Sequence, residues 1–109
     1  MKNIIIVQTH INEQQTYIWL AYLKKAVVGH VFLTVEVGNR IKFHNAWVDK
    51  KYRKKGVYSL LWNKRWEYTK ENFQGYVVYA WCKPNSIGMF ENNGFSTGEH
   101  AIYVETIVV

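Results

Sequence analysis

Lys50, Lys51, Arg53, Lys54 and Lys55 put five cationic side chains into six residues, and Gly56 follows them directly. A cluster of that density implies an anionic partner. The glycine sharpens the reading, because a backbone without a Cβ can approach a phosphate closely and adopt dihedrals closed to other residues. A helix starting just after Gly56 would present N–H groups that have no intrahelical acceptor, with the helix dipole behind them. The chemistry expected of the loop is therefore recognition of a diphosphate. It is not a P-loop, since the G-x-x-x-x-G-K-S/T spacing is missing, and no G-x-G-x-x-G occurs either. A solvated lysine-rich loop is the plainer alternative for such a run.

The remaining reactive side chains are sparse. His10, His30, His44 and His100 are scattered without ligand-like spacing, so no metal is expected. Cys82 is the only cysteine, which excludes an intrachain disulfide. A buried cysteine also serves as a small apolar residue and needs no further role.

The elements that position the basic loop can be read from periodicity. Asn3–Thr9 is β-branched and extended, and His10–Gln15 is a short polar link. Tyr17–Leu23 and Val27–Val37 read as strands separated by a turn at Lys24–Ala26. Gly38-Asn39 is a tight-turn signal that returns Ile41–Val48 antiparallel, so these three strands form a meander. From Val57 to Phe73 the apolar residues follow a helical period, and Gly75 ends that helix. Tyr76–Cys82 is a near-continuous apolar strand of the kind buried on both faces. After Pro84-Asn85, Ser86 is placed to cap a short helix that Gly94 terminates, and Ala101–Val109 closes the chain as a strand. The Ile41–Val48 strand, the helix and the Tyr76–Cys82 strand make a right-handed crossover with parallel strands. The predicted fold is an α/β (α+β) mixed sheet, an antiparallel meander plus one strand–helix–strand crossover, in a single domain spanning residues 1–109.

With 109 residues, 49% of them apolar and 17% aromatic, such a domain can bury a core. The net charge of +6 comes from 14 basic and 8 acidic residues. No apolar run approaches the ~20 residues of a membrane span. Met1–Val7 is too short for the apolar part of a secretory signal, so the expected location is cytoplasmic.

The segment Arg53-Lys54-Lys55-Gly56-Val57-Tyr58 resembles the Q/R-x-x-G-x-G/A acyl-CoA signature of the GNAT N-acyltransferase superfamily. Asn85-Ser86-Ile87-Gly88-Met89-Phe90-Glu91-Asn92-Asn93-Gly94-Phe95 resembles that superfamily's second motif, an asparagine followed by a short helix ending in G-F. The two occur in the right order around a helix and a strand, and the likeness covers roughly Tyr17–Val109. The resemblance implies that the parallel strands splay at Trp47-Val48 and Trp81-Cys82, with a pantetheine arm in the gap. It implies that the amides of Lys54, Lys55, Gly56, Val57, Tyr58 and Ser59 hold the pyrophosphate beside Arg53. The amide of Val48 would polarise the thioester carbonyl, and Asn85 would bond the pantetheine arm. Trp47 and Phe90 would line the arm or, as aromatics more often do, pack in the core.

Three positions depart from the superfamily's pattern. Tyr58 replaces the second small residue of the signature. Phe90 stands where the family's tyrosine protonates the leaving thiolate, and Lys42 where some members carry a glutamate base. His44, on the same strand face as Lys42, is the candidate for acid–base work, with a structural histidine as its alternative. His10–Gln15 leaves no room for the helix pair that usually follows the first strand. An open acceptor side suits a protein side chain or N-terminus, unless a second copy closes it as a homodimer. The function implied is acyl transfer from acetyl-CoA or another acyl-CoA to a primary amine, without a metal or membrane. A CoA- or partner-binding relative without turnover and a basic nucleic-acid-binding module are the competing readings.

Overall fold

The computed structural model describes residues 3–97 and 103–109, and every side chain among them except that of Asn85. Among these residues seven strands form one mixed sheet in the order β1-β2-β3-β4-β5-β7-β6. β1 (Ile4–Ile11) and β2 (Thr16–Leu23) are joined by one 3-10 turn, Asn12–Gln14, with Gln15 in the left-handed region. The polar link is thus shorter than its sequence suggests, because His10 and Ile11 stay in the ladder opposite Tyr17 and Thr16. β3 (Ala26–Glu36) and β4 (Arg40–Val48) follow, so the antiparallel meander has four strands rather than three. Their turn takes three residues, Val37–Asn39, with Gly38 and Asn39 both at positive φ and Glu36 facing Arg40.

α1 (Val57–Asn72) crosses from β4 to β5 (Val77–Trp81), and the two strands are parallel. A 3-10 turn, Pro84–Ser86, leads into α2 (Ile87–Glu91). Ser86 holds the N-cap position there, but its side chain makes no capping bond, because the preceding 3-10 turn already occupies the junction. β6 (Ser96–Thr97), which the sequence does not announce, pairs with β7 (Tyr103–Ile107). The rest of the closing strand predicted from Ala101 falls partly outside the described residues.

Both helices lie on one face of the sheet. α1 packs over β1–β4, and Phe90 of α2 meets Phe43 of β4 and Trp62 of α1 in that same layer. Val31, Leu33, Ile41, Phe43, Leu61, Trp62, Val78 and Val104 form the core between them, each nearly or fully excluded from solvent. The other face carries no helix among the described residues. β5 is consequently buried on one side only: Val78 and Ala80 are in the core, whereas Trp81 is 56% exposed. Its unbroken apolar composition resembles that of a strand covered twice, but no helix among the described residues covers the second face.

Candidate functional site

The pairing of β4 with β5 runs from Arg40–Val77 to Phe43–Ala80 and stops. Beyond that rung β4 continues for five residues, held among the described residues by β3 alone, while β5 continues to Trp81 against β7. A cleft of about 720 Å³ opens between them. It passes through the sheet, since its walls carry both Phe43, Ala80 and Phe90 from the helix side and His44, Trp47 and Trp81 from the bare side.

A β-bulge produces the divergence. Phe32 faces His44 and His30 faces Trp47, so Asn45 and Ala46 together oppose the single residue Val31. Asn45 takes φ 56°, and its carbonyl is bound by Nδ1 of His30 at 2.8 Å. The extra residue reverses the alternation of the strand. Phe43 points to the core, yet Trp47 points to the bare face, 39% exposed beside the His30 ring, and Val48 turns inward instead. The expectation that Trp47 packs in the core therefore fails, for a reason that simple two-residue periodicity cannot carry. Phe90, by contrast, is both core and cleft wall, with 3% exposure.

The bulge also sets the backbone polarity at Val48. Asp49 N–H donates to the Val28 carbonyl at 2.8 Å, so the adjacent Gly29–Val48 pair is the kind whose polar groups face away from each other. The Val48 N–H thus faces the gap, and its carbonyl accepts from Nε of Arg53 at 2.9 Å. Gly29 leaves room at this crossing: a Cβ there would lie 3.0 Å from the Trp47 carbonyl oxygen and 3.1 Å from Leu61, tighter than an ordinary contact.

At the wide end of the cleft the basic loop runs into α1. Asp49 caps the 3-10 turn Lys50–Tyr52 by accepting from Lys51 N–H at 3.0 Å. Lys54 and Gly56 both take positive φ, 62° and 86°. The first intrahelical bond is Leu60 N–H to Gly56 carbonyl, which leaves the N–H groups of Val57, Tyr58 and Ser59 without helical acceptors. Arg53, Lys54, Gly56, Tyr58 and Ser59 line the cleft. The side chains of Lys55 and Val57 do not, and Val57 is buried in the core. The predicted contact through Asn85 concerns a side chain outside those described.

Tyr58 points into the cleft. Burial raises its hydroxyl pKa, and Arg65 and Ser86 lie near enough to oppose that rise. His44 sits on the bare face at the cleft's edge. Its Nε2 and the Thr34 hydroxyl are 2.7 Å apart, and that hydroxyl is 2.8 Å from the hydroxyl of Thr16. Burial lowers the His44 pKa, with Lys42 and Arg65 acting in the same direction, so the imidazole is neutral at neutral pH. Cys82 lines the cleft, and its thiol pKa is raised by burial, which makes it a poor nucleophile.

Arg65 is the buried charge among the cleft residues that sequence reasoning missed. It lies four residues after Leu61 and three after Trp62, in the middle of the apolar stripe, where a charge is itself a signal.

A family model described as "Acetyltransferase (GNAT) family" matches residues 3–95. No curated protein matches the sequence. Among solved structures, a GNAT-family acetyltransferase from Staphylococcus aureus superposes with a TM-score of 0.74 at 19% identity, covering 90% of this chain and 71% of that one. The Escherichia coli ribosomal-protein-S18-alanine N-acetyltransferase superposes with a TM-score of 0.73 at 11% identity, over 87% of this chain and 70% of its own. An Escherichia coli GNAT-family N-acetyltransferase in complex with CoA gives 0.72 at 16% identity, over 90% and 62%. At these identities the likeness is one of fold.

Proposed function

The chain belongs to the GNAT acetyltransferase family, and from that premise we propose that it transfers an acyl group from acyl-CoA to a primary amine, within a single domain and in the cytoplasm. The observation that carries this reading is the parting of β4 and β5 beyond Phe43–Ala80, with a helix N-terminus and its free amides at the end of the gap. The donor set fits a nucleotide thioester: amides and cations for a diphosphate at one end, an outward N–H at Val48 further in.

In this reading the amides of Lys54 to Ser59 hold the pyrophosphate, with Arg53, Lys54 and Lys55 adding field. The pantetheine arm lies between Trp47, Val48 and Phe90, within reach of Asn85. The Val48 N–H polarises the thioester carbonyl. His44, neutral and oriented by Thr34, takes the proton that the amine gives up as its nitrogen forms the new C–N bond. The C–S bond breaks, and the departing thiolate takes that proton back from His44, through water, so that CoA leaves as the thiol. Positioning supplies most of the rate.

The bare sheet face reaches the same cleft through His44, Trp47 and Trp81. An acceptor arriving there meets no enclosing helix among the described residues, which suits a protein amine. Ile5, Trp81 and Ile107, all more than half exposed, favour partial cover by a second copy of the chain.

Calorimetric titration of acetyl-CoA, CoA, ATP and a single-stranded oligonucleotide, followed by mass spectrometry of amine mixtures, tests the proposal. Saturable acetyl-CoA binding with acyl transfer supports it. Binding without transfer favours the non-catalytic reading, and tight oligonucleotide binding alone overturns it.

A further inference from the structure

Arg65 occupies the centre of the buried face of α1, between Leu61 and Thr69, and 1% of its surface reaches solvent. A guanidinium in that position needs a carboxylate or a full set of acceptors to replace its water. Among the described residues it has neither. Nη1 donates to the Phe32 carbonyl at 3.2 Å, and the cation stacks 4.0 Å from the centroid of the Phe43 ring. Among the described residues the buried Nε has no hydrogen-bond partner. Burial lowers the guanidinium pKa to about 10, against the opposing effect of Tyr58, so the group remains charged at neutral pH.

This incompletely satisfied cation lines the cleft. It lies beside Phe43, on the last rung before the strands part. From Ser59 it is six residues along α1, about 9 Å at the helical rise, so an anion held here is distinct from a diphosphate at the helix N-terminus. Tyr58 adds a second group: its hydroxyl oxygen stands close enough to accept from the Arg65 guanidinium, and burial keeps the O–H protonated, so it can donate in turn. A planar fork of N–H groups beside a phenolic O–H is suited to a carboxylate, which accepts two hydrogen bonds from a guanidinium. For packing alone, an apolar side chain would serve at this helix position without the cost of desolvating a charge.

The geometry points to a carboxylate-terminated acyl group as the preferred cargo of this cleft, a dicarboxylic acyl-CoA such as malonyl- or succinyl-CoA whose free carboxylate is received by Arg65 and Tyr58. The inference rests on the acyl-CoA reading above. It assigns the carboxylate to the acyl group rather than to the acceptor because Arg65 and Tyr58 stand on α1, on the helix side of the sheet. His44, Trp47 and Trp81 present the opposite, bare side to an acceptor.

The test is calorimetric titration of the full chain with CoA, acetyl-CoA, malonyl-CoA and succinyl-CoA. At least one dicarboxylic thioester is expected to bind tenfold or more tightly than acetyl-CoA. Arg65→Met should abolish that preference while leaving acetyl-CoA affinity within about threefold, and Tyr58→Phe should reduce it. Equal affinity of the unaltered protein for all the acyl-CoAs overturns the inference but leaves the acyl-CoA reading intact. Failure to bind even CoA overturns both. The comparison in the unaltered protein decides the matter even if Arg65→Met does not fold. A folded Arg65→Met protein that keeps the preference also overturns the inference.

Discussion

Phe43 and Ala80 form the last rung of the parallel ladder between β4 and β5. Past it the two strands follow different partners, β3 and β7, and the space between them is the cleft. One bulge opposite Val31 keeps β4 on its separate course, so the residues around that bulge control the site.

Gly29 is the most constrained of these. A methyl group there meets the Trp47 carbonyl oxygen at 3.0 Å, and a backbone oxygen in a ladder cannot yield cheaply. Gly29→Ala should cost roughly 1–3 kcal/mol, the usual range for overpacking, and weaken acetyl-CoA binding by displacing Val48. Urea unfolding and calorimetry on one preparation measure both effects.

Gly56 separates backbone recognition from bulk charge. Its φ of 86° disfavours any β-branched residue, although a Cβ would meet only open space. Gly56→Val should cost about 1–3 kcal/mol of stability through strain and reduce acetyl-CoA affinity sharply. Replacing Lys50 and Lys51 with alanine should weaken binding modestly and flatten its salt dependence. A nucleic-acid surface predicts the opposite ranking, so titrating both variants across a salt series distinguishes the two.

His44 has a folded pKa below the ordinary 6.5, chiefly from burial. A group with a depressed pKa binds protons less readily folded than unfolded. Its contribution to stability is therefore present above pH 6.5 and lost as the pH falls through the folded value. Acid-side melting curves should show this loss, and His44→Gln should remove it. As general base, His44 should give a rate that rises through a pKa below 6.5 and is level at pH 7, with His44→Gln slower by about 10²–10⁴.

Thr34 fixes the imidazole through its hydroxyl, 2.7 Å from Nε2. Thr34→Val leaves both His44 and Thr16 short of a partner. The expected loss is roughly 3–10-fold in kcat, the worth of one hydrogen bond, with little change in acetyl-CoA affinity. A loss of affinity instead would mean that the hydroxyl supports the strand rather than the base.

The bare face predicts self-association, through Ile5, Trp81 and Ile107. Sedimentation at high micromolar concentration should reveal a dimer. Monomer alone would mean that the face is tolerated in water.

By itself the sequence determined the order of the elements apart from β6, the parallel crossover, and the placing of Gly56 and the basic loop at the start of α1. These depend on local periods, on glycine and on short-range charge, all of which are written into neighbouring residues. It also implied the missing helix pair, because the link between β1 and β2 is too short to hold one. Only the tertiary structure decided which way Trp47 points, since the bulge that turns it is set by the pairing of β4 with β3, across more than a dozen residues of chain. The same holds for β5, whose apolar composition is silent about whether a second layer exists to cover it. Arg65 is the clearest case. Its charge is visible in the apolar stripe of α1, but whether it reaches solvent, a carboxylate or a cleft depends on what the sheet places beneath it. That is a matter of packing between segments far apart in sequence, where burial is decided.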